Sequence, residues 1–161
     1  MSQGQQAGQH LQELSQQLQQ LDQVQSQLRT QLEAARAQRE AVKDAIGALD
    51  EIEDGAVVQV PLGADTYVKA RIEDIDDIIV TIGADYAAEQ SREEAVSLLD
   101  TRIEHIADRI GQIEETLSDV ESDIQQIEGQ AEQLRQQLAQ QQQQQQQVGG
   151  FDPSGLGPQS G

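Results

Sequence analysis

Apolar side chains recur every three or four positions in two long stretches of this chain, and every second position in the stretch between them. The first stretch carries Leu11, Leu14, Leu18, Leu21, Leu28, Leu32, Ala35, Val42, Ile46 and Leu49, with polar Gln25 and Arg39 at two places in the same register. The second runs without a fault through Val96, Leu99, Ile103, Ile106, Ile110, Ile113, Leu117, Val120, Ile124, Ile127, Ala131, Leu134 and Leu138. A narrow stripe kept to a 3.5-residue period over so many heptads predicts coiled-coil helices, at 10–53 and 90–140, rather than globular helices with a broad apolar face.

A short connection between them requires the second helix to fold back on the first, and the two stripes match when this is done. If facing residues sum to 145, Leu49 meets Val96, Val42 meets Ile103, small Ala35 meets Ile110 and Leu14 meets Ala131. The same rule sets Arg39 opposite Ile106 and Gln25 opposite Val120. Sliding by one heptad also aligns the stripes, so the pattern predicts an antiparallel hairpin more firmly than one register. Each arm is then roughly 60 to 70 Å long at about 1.5 Å per residue. Polar residues in a seam fix register and orientation at some cost in stability, which accounts for Gln25 and Arg39 without a further role.

In the centre, 54–89, the period falls to two. Val58, Val60 and Leu62 share one face of a predicted strand, and Val68, Ala70 and Ile72 share one face of the next, with turn-like Gly63-Ala64-Asp65 between them. Ile78, Val80 and Ile82 begin a second hairpin that turns at Gly83-Ala84-Asp85. Pro61 belongs near an edge or a strand end, where its missing N–H is not needed. Two isolated hairpins are marginal in water and carry open edges. They are expected to pair with hairpins of other subunits into a closed or nearly closed β assembly, through Val58, Val60, Leu62, Val68, Ala70, Ile72, Ile78, Val80 and Ile82. The fold class is therefore α+β: a long antiparallel two-helix coiled coil whose two central hairpins assemble into an oligomeric β-barrel body.

Composition supports an elongated, assembling protein. With no Trp, one Phe and two Tyr among 161 residues, burial falls to Leu, Ile, Val and Ala in thin seams. The net charge of -19 repels phosphate backbones and anionic bilayers, so neither nucleic acid nor membrane is an expected partner. Lys43 and Lys69 are the only lysines, and 23 acids face 5 bases between Asp50 and Glu132. That excess suits a protein working in high salt, where screening over a few ångströms relieves self-repulsion, although a merely acidic coiled coil would look alike. Absent cysteine removes disulfides and thiol chemistry and fits a reducing cytoplasm. Residues 1–9 lack the basic start and apolar run of a signal peptide and are expected to be disordered. The Gln/Gly-rich segment 141–161 is read as a disordered tail by composition, with Phe151 a weak candidate for docking.

No catalytic or cofactor site emerges, and the chain is not expected to be an enzyme. His10 and His105 fall far apart on opposite arms, and the acidic run Glu73, Asp74, Asp76, Asp77 lacks the ligand spacing and glycine of a calcium loop. The open end of the helical hairpin is more promising. Helix ends fray, and partial opening there would offer Leu11, Leu14, Leu18, Leu134 and Leu138 to apolar segments of an unfolded chain. Closure of the coiled coil alone would equally explain each of these leucines singly.

The central residues carry a resemblance. Val58-Gln59-Val60-Pro61-Leu62-Gly63-Ala64, Tyr67-Val68-Lys69-Ala70-Arg71-Ile72 and Val80-Thr81-Ile82-Gly83-Ala84-Asp85-Tyr86 are similar to the two turns and the alternating strand of the prefoldin family, and two hairpins mark its alpha type. The resemblance covers about residues 8 to 140, and its specific part is this centre. It implies a hexamer of two alpha and four beta subunits, a double β-barrel with six coiled-coil arms, that grips unfolded clients without ATP and passes them to a group II chaperonin. The other reading is a coiled-coil scaffold or adaptor that binds one folded partner.

Overall fold

In the computed structural model, residues 3–149 are described, with side chains through residue 144. The order of elements is α1 (Gln3–Glu51), β1 (Val57–Gly63), β2 (Thr66–Arg71), β3 (Ile78–Gly83), β4 (Tyr86–Gln90) and α2 (Arg92–Gly149). The chain divides into two compact units, one of Met1–Thr30 with Glu115–Gly161 and one of Gln31–Glu114.

Both helices reach further than their composition suggests. Residues 3–9 and 141–149, expected to be disordered, are helical, and 150–161, with Phe151, lies outside the described residues. Glutamine is nearly as good a helix former as Glu or Lys, and no proline interrupts either helix, so a polar run can remain helical where a partner helix supports it. The burial along α1 reproduces the expected seam. Every residue of α1 that is not exposed falls on the series Ala7, Leu11, Leu14, Leu18, Leu21, Gln25, Leu28, Leu32, Ala35, Arg39, Val42, Ile46, Leu49. From Ile103 to Leu138 the same holds of α2, and half-buried Gln141 continues the spacing one step beyond the expected series.

Each unit shows by itself that its helical segments run antiparallel. In the unit of residues 1–30 and 115–161, Arg29 pairs with Glu121 at 3.7 Å and Gln141 donates to Gln3 at 3.4 Å. In the unit of residues 31–114, Arg36 donates to Glu114 at 3.2 Å, while Arg92 donates to the Ile52 carbonyl. The two arginine–glutamate pairs sum to 150, five above the seam rule. Helical side chains lean toward their own N-terminus, so long partners on antiparallel helices meet at sums above that of the seam. These pairs are half exposed, each worth a few tenths of a kcal/mol to about 1; the buried stripe does most of the holding. Arg39, at its polar seam position, is half-buried with Nε lacking a hydrogen-bond partner.

The centre is two separate two-stranded sheets, β1 with β2 and β3 with β4. Val58 faces Ala70 and Val60 faces Val68, so these four share one face as the alternation requires. Gly55 sets the entry to this hairpin. Its amide donates to the Ile72 carbonyl, and the Ile72 amide donates to the Ala56 carbonyl, so two residues oppose one in a glycine bulge. The φ of +82 at Gly55 is a left-handed value that a β-carbon would disfavour. Counting on from Ala56 in the two-residue alternation turns the backbone groups of Val57, Gln59 and Pro61 to the unpaired edge, which suits a proline with no N–H to give. At the turn, Ala64 and Asp65 both have positive φ, 50° and 58°, the pairing a tight primed turn demands.

The link from β2 to β3 is tied to the approach to β1 and to the start of α2 by carboxylates that bond the backbone. Asp54 accepts from the Ile75 amide at 2.7 Å, Asp74 from Asp76 at 3.0 Å, and Asp76 from Arg92 at 3.3 Å. The acidic run thus serves partly as a set of turn and helix-start caps. At the start of α2, Ser91 Oγ accepts from the Glu94 amide at 3.2 Å and Glu94 Oε2 accepts from the Ser91 amide at 3.4 Å. This reciprocal box satisfies two otherwise orphaned donors and sets where the helix begins.

Candidate functional site

The two hairpins present a candidate assembly surface. Nine large hydrophobic side chains are exposed among the described residues, and eight of them, Val57, Val60, Leu62, Tyr67, Val68, Ile79, Ile82 and Tyr86, lie on β1 to β4. Soluble proteins scatter exposed apolar residues singly, so a concentration of this kind on short sheets marks a surface meant for covering. The strands also carry one unpaired edge each, rows of backbone donors and acceptors ready for another strand.

Of the nine residues expected to build the assembly, Val60, Leu62, Val68 and Ile82 are exposed, while Val58, Ala70, Ile72 and Ile78 are half-buried. Val80 stands apart: at 7 % exposure it is buried within the chain itself. The second hairpin leans on the start of α2, where Arg102 donates to the Thr81 carbonyl, and Ala95, Leu98 and Arg102 widen the covered face of the helix beyond its seam. A groove of about 440 Å³ between these elements is lined by Val42, Ile82, Leu98, Arg102, His105 and Ile106 among others. Four exposed residues were absent from the expected set: Val57, Tyr67, Ile79 and Tyr86, the last two at 69 % and 71 %. Their signal is present in the sequence, since both faces of these strands carry large apolar groups; a rule that gives each hairpin one wet face discards the other.

The candidate client residues all lie in the unit of Met1–Thr30 and Glu115–Gly161. Leu11, Leu18, Leu134 and Leu138 are half-buried, whereas Leu14, at 3 %, is among the best-buried side chains of the chain. In the closed hairpin these leucines are mostly turned inward, so contact with another chain needs the helix ends to part. Gln17, Leu21, Val24, Asp123, Gln126 and Ile127 line a shallow groove of about 410 Å³ in the same unit.

Among the described residues no three or more His, Cys, Asp or Glu side chains come together as a metal site. His10 Nδ1 lies 3.9 Å from Glu13 on its own helix, and His105 lines the groove beside Ile82. No described helix is long and apolar enough to cross a membrane.

Comparison with known proteins places the chain in a family. The prefoldin family model, described as prefoldin subunit, matches residues 11–144, which takes in both helical seams and both hairpins. The chain is 54 % identical over 113 residues to prefoldin subunit alpha of Halobacterium salinarum, covering 70 % of this chain and 73 % of that one. It is 60 % identical over 102 residues to prefoldin subunit alpha of Haloquadratum walsbyi, covering 63 % and 65 %. With prefoldin subunit alpha of Halorubrum lacusprofundi the identity is 43 % over 78 residues, and there the chain spans about half of its relative, 51 %. These relatives come from halophiles, in keeping with the acid-rich, lysine-poor composition. A seam too narrow for a globular protein and hairpins that cannot be complete alone are both explained at once: the chain belongs to the prefoldin family of subunits.

Proposed function

We propose that this chain is the alpha-type subunit of a cytoplasmic, ATP-independent chaperone, a hexamer with two copies of it and four beta-type partners, that holds unfolded proteins and passes them to a group II chaperonin. Its contribution is mechanical and involves no catalytic step. The exposed hairpin residues are covered by strands of neighbouring subunits, and the paired helices hold non-native chains at their distal ends through Leu11, Leu14, Leu18, Leu134 and Leu138. The observation that carries this reading is the placement, among the described residues, of eight of the nine exposed large hydrophobics on two separate hairpins. A surface of that kind is silent in a monomer and is productive in an assembly.

Holding works by repetition. A frayed pair of helix ends offers a few leucines at a time, so a single tip binds weakly, but several tips on one body act at high effective concentration. The assembled complex is therefore expected to suppress aggregation of a chemically denatured client, diluted out of guanidinium, at near-stoichiometric ratio and with no nucleotide present. Light scattering at working salt reads the outcome. Aggregation at the rate of client alone, or protection that appears only on adding ATP, contradicts the proposal.

A further inference from the structure

Charge is spread very unevenly along this acidic chain. In residues 3–21 and 124–144, all within one compact unit, 20 of the 40 residues are glutamine, and the charged side chains are Glu13, Glu128, Glu132 and Arg135. In residues 22–123 there are 25 acids, 9 bases and only 8 glutamines. Solubility does not explain the contrast, because glutamate would serve it better and is used freely elsewhere on the same helices. Helix propensity does not explain it either, since Glu and Gln are close to equal. What separates the two is what they offer another chain: glutamine both donates and accepts hydrogen bonds without charge, whereas a carboxylate only accepts and repels its like.

We propose that the distal glutamine sheath, with Gln12, Gln16, Gln19, Gln130, Gln133 and Gln137 exposed on it, is a specificity surface that admits carboxylate-rich non-native polypeptides to the tips. This deepens the holding role proposed above and rests on it. The argument turns on which partner makes the difference between Gln and Glu matter. For a basic or neutral client an acidic tip would serve as well or better. For a client that carries the same acidic excess as this chain, an acidic tip brings carboxylates face to face at contact distance, inside the few ångströms over which even molar salt screens. The rest of the chain repels such a partner, and the neutral tip is where it can dock, its carboxylates and backbone carbonyls accepting from the glutamine amides.

The test uses the full complex, with this chain carrying Gln→Glu at the six positions just named, co-assembled with a beta-type partner and checked for unchanged helical content. The probe is one unfolded polypeptide, reduced and carboxymethylated α-lactalbumin, used as such and with its carboxyls blocked as amides, labelled and titrated by fluorescence anisotropy. At about 0.2 M KCl the substitutions are expected to weaken binding of the acidic form about fivefold, and of the blocked form less than about twofold. At about 3 M KCl the loss for the acidic form should shrink as screening tightens but stay larger than that for the blocked form, because carboxylates at contact distance lie inside the screening length. Equal weakening of both forms, or of neither, overturns the inference. A complex lacking residues 1–14 and 132–161 of this chain is titrated in parallel. Should that deletion also leave both forms bound as before, the tip itself is not the holding site and the underlying reading falls with the inference; should the deletion weaken binding while the charges do nothing, the selection of acidic clients alone is refuted.

Discussion

Placing a carboxylate at the centre of each hairpin, Val60→Asp together with Ile82→Asp, is expected to abolish assembly while leaving most of the helix content in place. Val60 sits mid-strand opposite Val68, in a hairpin without a single buried side chain, so within the free chain the substitution disturbs little. In the proposed assembly the same position would be enclosed by a neighbour. A charge shut into an apolar interface without a partner costs several kcal/mol, and about 3 kcal/mol per interface already lowers an association constant more than a hundredfold. Ile82 faces the groove beside Leu98 and Arg102, so its substitution loosens the second hairpin as well. The single Val60→Asp change isolates the interface from that effect. Size-exclusion chromatography with light scattering should find the free subunit, with circular dichroism close to wild type. Val60→Ile should assemble normally. A Val60→Asp chain that assembles as wild type would show that the exposed hairpin faces are not what joins subunits.

The second large effect is expected at the proposed client-holding ends. Removing residues 1–14 and 132–161 deletes Leu11, Leu14, Leu134 and Leu138 and leaves both hairpins untouched. The shortened chain should still assemble, and the complex should lose about tenfold in its ability to suppress aggregation, because avidity falls steeply when arms drop out of a multivalent grip. A full-length chain with Leu11→Ser and Leu138→Ser separates loss of apolar contact from loss of reach. These two leucines are half-buried near the helix ends, so the seam tolerates them better than it would a change at Leu14, where burial is nearly complete. Undiminished protection by both complexes would place holding elsewhere.

Much of this architecture is written in the order of the residues. A 3.5-residue stripe is a long-range signal that averages over local noise, and the covered positions of α1 coincide with it throughout. The hairpins were legible for a similar reason: the strands alternate, and Gly63-Ala64-Asp65 and Gly83-Ala84-Asp85 punctuate them. The ends of the helices were not. Glutamine-rich runs such as 140–147 read as disorder by composition, yet helix is open to them where another helix lies alongside, as Gln141 bonding to Gln3 shows. The start of α2 had a local signature that composition obscured, Ser91 and Glu94 at capping-box spacing.

The candidate surfaces were half legible. Period-two reasoning selects one face of each strand and found Val60, Leu62, Val68 and Ile82, but it supposes that the other face is wet. Val57, Tyr67, Ile79 and Tyr86 violate that supposition. Nor does alternation reveal that Val80 is buried by its own chain, since that depends on how the second hairpin docks on α2, a tertiary fact with no short-range trace. The tip leucines are indistinguishable in sequence from the rest of the seam. Only position singles them out, and the role proposed for them rests on the behaviour of helix ends rather than on residue type.

The account depends most on hairpins that need other subunits to be complete. Co-expression of this chain with a beta-type prefoldin subunit, followed by measurement of the particle's mass in high salt by sedimentation equilibrium, tests that need directly. The expected result is one stable hetero-oligomer containing two copies of this 17.6 kDa chain and four of its partner. A chain that sediments at 17.6 kDa and ignores its partner would contradict it.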